Sequence, residues 1–460
     1  MLKRTITYIL LLVALLLAIT ACQKEKAGEA MPSDLAFSCD TVAFDTVFTQ
    51  MGSTTQQLKV YNHGESEITL TEVTLRNGYS SRFRLNVDGD TNMVARNLTI
   101  PAGDSLFVFV RANINPNSAT EPFLIEDAIQ FKLSTGKRQV ALTAYGRNAV
   151  YHVPTDTIHY ADGTYPTDGY GHPYAYSVID CEHWRHDLPH VILAYAVVDS
   201  RNTLHLQAGD ELYFCNDAVL WVYDSATLDV HGSTAQPVLF TSVRHDGWYD
   251  YLPGQWGHIW LSAGSRDNVI DYALIENGYA GLQADSCASV NPTLTISNTQ
   301  IRNCSLAGMV LQTAHVTGRN LLVTNCGTAT VAMQYGGSYN FEGCTFADYW
   351  KYDSRTNPSV YVTNTRDYNN IHYIWPMFCT LKDCIIYGSR SQGELYTDLD
   401  QNVSATLEIN HCLVRGGTWD EDPKFVDVEN GDYHLSEDSP ALGIGYLYPD
   451  QEKKHFHQTK

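Results

Sequence analysis

The sequence predicts an all-β protein built from two different kinds of domain, and two observations carry that prediction. Between residues 34 and 148, apolar and polar residues alternate with period two, and turn residues interrupt the pattern roughly every 8–12 positions. This stretch has no segment with the helical period of about 3.6 residues. From residue 200 onward, one apolar motif recurs at intervals of roughly two dozen residues, which is typical of a repeat architecture.

Composition limits the functions that are open to the chain. Of its 460 residues, 44% are hydrophobic and 18% are charged, a mixture that excludes a largely disordered protein. Lys and Arg number 30 against 51 Asp and Glu, giving a net charge of −21. Because nucleic acid attracts basic surfaces and this chain is acidic, we expect no nucleic-acid partner. We also predict no cofactor.

The first residues predict export. A short basic start precedes an unbroken apolar run, Ile9–Ile19, which is too short for a membrane-spanning helix of ~20 residues. The run ends in Ile19-Thr20-Ala21-Cys22, which resembles the lipobox of bacterial lipoproteins. The resemblance implies a signal peptide over residues 1–21 and a lipid anchor on Cys22 that attaches the protein to a membrane. The alternative is an ordinary secretory signal in which Cys22 is incidental.

The lipobox also implies a location. We expect a lipoprotein of the outer membrane in the cell envelope, on either the periplasmic or the cell-surface face. Residues 22–33 contain little that could be buried, so they are predicted to form a flexible tether between the anchor and the first domain.

Residues 34–148 are predicted to form an immunoglobulin-like β-sandwich of antiparallel strands. Three turn motifs occur in a set order, namely Asn62-His63-Gly64, Pro101-Ala102-Gly103-Asp104 and Ala144-Tyr145-Gly146. This order resembles the immunoglobulin-like domains of the Hydin type. The resemblance implies a spacer or protein-interaction role without catalysis.

Residues 200–416 are predicted to form a right-handed parallel β-helix. Copies of the apolar motif begin at residues 270, 296, 318, 341, 381 and 409, with one longer interval after residue 341. Each interval fits three short strands and their turns, which is one rung of such a coil. Because open strand edges invite association, we expect residues 149–199 to be a linker and N-terminal cap, and residues 417–460 a C-terminal cap and tail.

Alignment of the copies predicts columns of like residues stacked along the coil. The inward apolar column is Ile275, Ile301, Val323, Phe346, Ile386 and Val414. A turn column contains Asn277, Asn303 and Asn325, a residue type that tolerates a left-handed backbone. Two cysteine columns are Cys344, Cys384 and Cys412, and Cys304 and Cys326. We expect free, buried thiols, with disulfides or a metal site as the alternatives.

Two further stretches resemble the right-handed β-helix lipoproteins of Bacteroidetes-type bacteria. Those proteins carry Trp-Gly-Gly-Ile followed by Ile-x-Tyr-Ala-x-Ile-x-Asn-Gly, and this chain has Trp256-Gly257-His258-Ile259 followed by residues 270–278. His258 replaces the second glycine of that pattern. Residues 422–441 resemble the closing segment of the same proteins. The resemblance implies the fold and adds little about activity.

Two aromatic and polar segments are predicted to project from the coil. One lies in the long interval after residue 341, and the other spans residues 244–251. Flat aromatic faces beside Arg and Asp suit stacking on sugar rings and hydrogen bonding to their hydroxyls. The candidate ligand-binding residues are Trp248, Tyr249, Tyr251, Tyr349, Trp350, Tyr352, Asp353, Arg355, Arg366, Asp367 and Tyr368. The alternative is that these loops fold back on their own aromatic residues and shield the coil.

A metal site is not predicted. His183, His186 and His190 could supply imidazoles to zinc, but Pro189 interrupts their spacing, so we expect a His-rich linker.

No residue is assigned a catalytic role. The Asn-Thr-Asp, Asp-Asp and Gly-His-Gly motifs of polygalacturonase-like proteins do not occur in the sequence, and neither does the Arg-x-Pro-x-x-Arg motif of pectate lyases. The leading hypothesis is non-catalytic binding of a glycan or another envelope component, such as an envelope protein, through the β-helix face. The alternatives are a carbohydrate-active enzyme, either a polysaccharide lyase or a glycoside hydrolase, and a purely structural role.

Overall fold

The computed structural model describes residues 31–169, 171–244, 247–286 and 292–448. The chain divides into two compact units, with the boundary between Asn148 and Ala149. The predicted signal peptide, Cys22 and most of the tether lie outside the described residues. Within the described ranges, no helix has the length and apolar character needed to cross a membrane.

The first unit is a sandwich of two β-sheets. Its elements are short 3₁₀ helices at Pro32–Asp34 and Gly78–Ser80 and the strands β1 Leu35–Phe37, β2 Thr41–Phe48, β3 Gln56–Asn62, β4 Ile68–Leu75, β5 Phe83–Val87, β6 Val94–Ile100, β7 Ser105–Ala112, β8 Phe123–Leu133 and β9 Gly136–Arg147. The sheet orders are β1-β3-β7-β5 and β2-β9-β8-β4-β6. Fully buried side chains such as Leu58, Phe83 and Phe131 fill the space between the sheets.

One strand pair of the sandwich departs from the predicted antiparallel arrangement. Strands β2 and β9 run parallel, with Val42 opposite Leu142. Hairpin turns force sequence neighbours to run antiparallel, whereas almost the whole domain separates β2 from β9 and leaves their direction free.

The second unit is a coil of short strands. In chain order these are β10 Val150–His152, β11 Asp156–Thr157, β12 Ala175–Val178, β13 His190–Ile192, β14 Tyr195–Val198, β15 Thr203–Gln207, β16 Glu211–Phe214, β17 Val219–Val222, β18 Thr227–His231, β19 Val238–Ser242, β20 Ile259–Leu261, β21 Asn268–Asp271, β22 Ala273–Glu276, β23 Ala280–Ala284, β24 Leu294–Ser297, β25 Gln300–Cys304, β26 Ala307–Gln312, β27 His315–Arg319, β28 Leu322–Cys326, β29 Ala329–Gln334, β30 Gly337–Glu342, β31 Thr345–Asp348, β32 Val360–Thr363, β33 Thr365–Tyr368, β34 Ile371–Ile374, β35 Met377–Lys382, β36 Ile385–Gly388, β37 Leu395–Asp398, β38 Ala405–Asn410, β39 Leu413–Val414, β40 Phe425–Asp427 and β41 Asp432–Leu435. Two 3₁₀ helices, Gly247–Tyr251 and Val428–Asn430, lie beside the coil.

Three long sheets form the walls of this coil. Sheet 1 has the order β10-β13-β16-β19-β22-β25-β28-β31-β36-β39, sheet 2 has β11-β12-β14-β17-β20-β23-β26-β29-β32-β37, and sheet 3 has β15-β18-β21-β24-β27-β30-β35-β38. Neighbouring strands run parallel throughout, apart from the antiparallel pair β11 and β12. The prediction of an all-β chain with a sandwich followed by a parallel β-helix is therefore confirmed.

The predicted inward column lies in one continuous row of sheet 1. Ile275 is opposite Ile301, Ile301 is opposite Val323, and the same register continues through Phe346 and Ile386 to Val414. These side chains are buried, and each buried aliphatic or aromatic group stabilises the fold by roughly 1.5–3 kcal/mol.

The cysteine columns share this interior. Cys304 is opposite Cys326 in the parallel register, and both are buried. The described cysteines are all free thiols, while Cys22 and Cys287 lie outside the described residues.

The asparagine column turns the chain from sheet 1 into sheet 2. Asn277, Asn303 and Asn325 have φ values of 65°, 58° and 54°, which is the left-handed region expected for them. The Asn303 amide donates a hydrogen bond to Asn277 Oδ1 at 2.5 Å, so adjacent rungs are linked through their turns. A second ladder, which the sequence analysis did not identify, joins Asn320 to Asn298 at the turn from sheet 3 into sheet 1.

The coil begins earlier than predicted, whereas its last strand, β39, ends close to the predicted boundary at residue 416. Parallel pairing begins at Val150, inside the segment expected to be a linker and cap. The sequence did not reveal these first rungs, because their strands are only two to four residues long and lack the asparagine turns that marked the later rungs. At the other end, described residues 417–448 run along the outer surface of sheet 1. Ala441, Ile444 and Tyr446 pack there in two small apolar clusters.

The tail takes this position because outward side chains on the later strands of sheet 1 are apolar as well as the inward ones. Leu322, Ala347, Ile385 and Leu413 alternate with the inward column and form the surface that the tail covers. A sheet that is covered on both faces is typical of parallel architectures. The start of the tail also covers the last rung, because the Val414 N–H at the open edge of β39 donates to the Trp419 carbonyl at 2.9 Å. The tail therefore caps the last strand, as expected, and then continues as a strap along one wall.

Two phenylalanines of the coil provide a test of the inward register. We predict that Phe346→Ala lowers the free energy of unfolding of the coil by about 3–5 kcal/mol, because Phe346 is fully buried and packs edge-on against Phe341. Phe378→Ala, at an outward position that is 47% exposed, is the matched control and should cost under about 1 kcal/mol. Urea denaturation measures the free energy of unfolding of both variants, and equal losses of stability would contradict the inward register.

Candidate functional site

The two aromatic segments singled out in the sequence meet along one groove of the second unit. The groove has a volume of about 610 Å³ and follows the turn column of Asn277, Asn303 and Asn325. One wall is the 3₁₀ helix Gly247–Tyr251, and the other is residues 349–352 at the end of β31. The Tyr352 hydroxyl donates a hydrogen bond to the Tyr251 carbonyl and connects the walls directly.

Asparagine side chains fix the first wall to the coil. The Asn277 amide donates to the Asp250 carbonyl at 3.0 Å, and the Asn303 amide donates to the Tyr251 carbonyl at 2.7 Å. The turn column therefore has two functions: it fixes the register between neighbouring rungs, and it holds the loop that borders the groove.

A buried ion cluster holds the second wall. The Arg355 side chain is 2% exposed and lies between Asp348 and Glu394, whose side chains are fully buried. Arg355 Nη1 donates to Glu394 Oε2 at 2.8 Å and lies 3.5 Å from Asp348 Oδ2. Glu394 also accepts the backbone N–H groups of Ser359 and Arg390, both at 2.9 Å. Arg355 therefore anchors the loop from inside and cannot face a ligand, which corrects its assignment as a candidate binding residue.

Asp348 belongs to the same cluster. Its Oδ1 accepts the backbone N–H groups of Cys326 and Trp350, each at 3.2 Å. Burial raises the pKa of Asp348 to about 7, although the Arg355 guanidinium opposes that shift. Because the carboxyl is fully buried, this raised pKa reflects an anchor beneath the groove rather than a group in contact with solvent.

The aromatic residues of the groove divide into exposed faces and packed supports. Tyr251 is 72% exposed and Tyr352 is 41% exposed, so both rings are accessible. Trp350 is buried, its ring centroid lies 4.9 Å from that of Tyr352, and its Nε1 donates to Asp353 Oδ1 at 2.7 Å. The tail partly covers Tyr349, whose ring lies near those of Phe425 and Tyr433.

The remaining residues of the earlier loop lie at its base. Tyr249 is half-buried beneath the Arg244 guanidinium, which lies 3.1 Å from the ring centroid. The side chain of Trp248 lies outside the described residues, although its backbone belongs to the 3₁₀ helix.

Three predicted residues belong to a different surface. Arg366, Asp367 and Tyr368 lie on strand β33, which forms a hairpin with β34 after the chain has passed through sheet 2 as β32. The Arg366 guanidinium lies over the rings of Tyr335 and Tyr368, at 5.1 and 5.2 Å from their centroids. None of the three lines the groove. The long interval in the sequence is therefore two projections separated by a strand.

The charged residues that line the groove were not among the predicted site residues, namely Asp250, Glu276, Arg302, Lys351 and Glu429. Glu276 and Arg302 occupy equivalent positions on neighbouring strands β22 and β25, and they form an ion pair at 2.7 Å. Thr241 Oγ1 also donates to Glu276 at 3.3 Å. Glu276 and Arg302 each immediately precede a member of the asparagine column, and this constant position is the signal that could have identified these two.

The candidate zinc ligands are separated in the structure. His183 pairs with Asp180, His186 with Asp210, and His190 with His152. Among the residues described, no three His, Cys, Asp or Glu side chains are grouped so that they could hold a metal ion.

Comparison with known proteins supports the architecture. Residues 230–346 and 257–433 match the family model described as the right-handed β-helix region. Together with the three parallel sheets, this match identifies the coil as a right-handed parallel β-helix. No curated protein matches the chain.

Several solved structures are similar at low identity. The catalytic unit of a GH87 α-1,3-glucanase from Streptomyces thermodiastaticus is 11% identical, with 77% of this chain and 74% of that chain covered and a TM-score of 0.29. A family 123 glycoside hydrolase from Clostridium perfringens is 8% identical over 24% of this chain and 25% of that one, with a TM-score of 0.18. The ASH / PapD-like domain of human CEP192 is 10% identical over 27% of this chain and 92% of that one, also with a TM-score of 0.18. At these scores, the likeness carries no argument about function.

The buried ion cluster generates a testable prediction. Glu394→Gln should destabilise the coil by about 3–5 kcal/mol, because it leaves the Arg355 charge buried without its closest partner. It should also expose residues 349–359 to limited proteolysis. Glu408→Gln, at an exposed position on β38, is the matched control and should change neither property. If both variants behave alike, the cluster does not anchor the groove wall.

Proposed function

We propose that this chain is a non-catalytic glycan-binding protein of the bacterial cell envelope, and that the groove between Tyr251 and Tyr352 contacts the glycan. The observation that carries the proposal is the convergence of two aromatic segments, 101 residues apart in sequence, on one open groove. Binding residues on loops that a rigid scaffold positions are a common arrangement for recognition.

The chemistry of the groove suits a sugar chain. Two exposed tyrosine rings offer flat faces for stacking, and Asn325, Asn430 and Lys351 add donors and acceptors for hydroxyl groups along the same groove. The net charge of −21 repels polyanions, so a neutral glycan suits the chain better than a polyuronate does.

The ionisable groups support binding over catalysis. Arg302 and Thr241 already engage the Glu276 carboxylate, and the raised-pKa carboxyl of Asp348 is enclosed beneath the groove wall. A glycoside hydrolase needs two carboxyl groups that flank the scissile bond, roughly 5–9.5 Å apart.

A carbohydrate-active enzyme, either a glycoside hydrolase or a polysaccharide lyase, is the second candidate function. The observation in its favour is that Asp250, Glu276 and Glu429 all line the same groove. The two candidates differ in one property, which is whether the bound chain is cleaved.

The location belongs to the proposal as well. The lipobox at Cys22 and the similarity to Bacteroidetes-type β-helix lipoproteins support an outer-membrane anchor, followed by the tether. In this arrangement the first unit, with its Hydin-like turn motifs, acts as a spacer that carries the β-helix away from the membrane.

A glycan panel tests the function. Neutral and acidic polysaccharides are scored for retention of the protein and for release of new chain ends. We expect retention on a neutral glycan without cleavage, and a loss of affinity of about tenfold for Tyr251→Ala and for Tyr352→Ala, equivalent to ~1.4 kcal/mol each. Tyr79→Ala, at an exposed position of the sandwich, is the control. Cleavage that Glu276→Gln abolishes would instead establish the enzyme.

Lipidation is tested separately. In a Gram-negative host, the wild-type protein should fractionate with the outer membrane and incorporate labelled palmitate. Cys22→Ser should release it into the soluble fraction without label, because no acyl chain can then be attached. Cys39→Ser is the control and should remain with the membrane. A membrane-bound Cys22→Ser protein would refute the anchor.

A further inference from the structure

A second surface of the coil has a composition unlike that of the groove. The outward positions of sheet 2 form one unbroken column in the parallel register, from Trp221 and Trp260 at one end to Tyr361 and Tyr396 at the other. We call this column, which also contains Gln283, Val310 and Ala332, together with the adjacent pair Gln312 and Gln334, the sheet 2 strip.

Small and amide side chains occupy the middle of the strip. A shallow trough of about 430 Å³ lies there, with Val310 and Ala332 in its floor and Gln283, Gln312 and Gln334 along it. Among the described residues, the side-chain amides of Gln312 and Gln334 bond to no other protein group, so they are available to a ligand.

The trough carries no charge. No Asp, Glu, Lys or Arg is among the residues that line it, in a chain in which 18% of the residues are charged. His258 also lines the trough, and burial lowers the pKa of this imidazole to about 4, which makes it neutral at physiological pH.

Aromatic rings at both ends have fixed orientations. The rings of Trp221 and Trp260 stack with centroids 4.9 Å apart, and Trp260 Nε1 donates to Asp285 Oδ2 at 2.7 Å. At the other end, the rings of Tyr361 and Tyr396 lie 5.3 Å apart. Four rung spacings separate Trp260 from Tyr361, which is about 19 Å at ~4.8 Å per rung.

We propose that the sheet 2 strip is a second binding surface, which takes an uncharged, extended polysaccharide chain lying along the axis of the coil. This second proposal rests on the proposed function only for the class of ligand, which is a glycan, because the strip and the groove consist of different residues. Rings at the two ends would stack on sugar faces, and the amides between them would bond to hydroxyls, since each amide both donates and accepts.

The lining of the trough favours a neutral glycan over other partners. A polyanion would find no cation in it and would be repelled by the acidic chain, and a polycation would find no carboxylate. Three glutamines run along the apolar floor of Val310 and Ala332, and aromatic rings lie at both ends of the strip, whereas a protein-docking patch has its polar groups in a rim around an apolar centre.

The test uses the full chain and two probes, a soluble neutral glucan and a polyuronate of matched length. The wild-type protein should bind the glucan and not the polyuronate, and the affinity should be the same at 50 and 500 mM salt, to within about twofold, because no ion pairs are involved. Oligosaccharides that span ~19 Å should bind at least tenfold more tightly than a disaccharide. Preference for the polyuronate, or no dependence on chain length, would overturn the proposal.

Variants separate the strip from the groove. Tyr396→Ala and Gln312→Ala should each reduce affinity for the glucan about tenfold, while Phe378→Ala on the outer face of sheet 3 should not reduce it. Thermal unfolding confirms that each variant is folded. If these strip variants bind normally while Tyr251→Ala and Tyr352→Ala fail, the strip proposal is wrong and the groove function stands. The reverse result refutes the groove alone. A wild-type protein that binds neither probe refutes the strip proposal, whereas the groove function is decided by the wider glycan panel.

Discussion

The parallel register between rungs is the constraint on which the rest of the second unit depends. Each rung must place its inward residue directly over that of the rung before, as Ile301 lies over Ile275 and Val323 over Ile301. A slip of one residue would turn a whole apolar row outward, so the core strongly selects a single register. The asparagine turns reinforce that choice, because Asn303 bonds to Asn277 one rung away.

A scaffold with this register can carry insertions only outside the stack, and both walls of the groove are such insertions. The coil holds the first wall through asparagine amides and the second through Arg355 enclosed by Asp348 and Glu394. Burying three ionisable groups is costly unless they pair with one another. These paired charges lie directly beneath the groove wall, where they hold the loop in one position.

The columns of the coil could be predicted because each of them repeats a residue type at a fixed interval. Ile275 and Asn277 have equivalents in the next rungs, so a single sequence reveals both rows. The groove could not be predicted, because no sequence pattern shows that Tyr251 and Tyr352 lie on the same side of the coil. The burial of Arg355 could not be predicted either, because it depends on Glu394 from the next rung. The residues of the sheet 2 strip occupy equivalent positions on successive rungs but differ in type, so they leave no repeat in the sequence.

The central claim is that the coil brings two segments, 101 residues apart in sequence, into one binding site. A double-mutant cycle on glycan affinity tests it most directly, with Tyr251→Ala, Tyr352→Ala and the combined variant titrated by calorimetry. Residues that share one ligand should be coupled by about 0.5 kcal/mol or more, so the combined loss differs from the sum of the single losses. Losses that add within the error of measurement would show two independent surfaces and contradict the account.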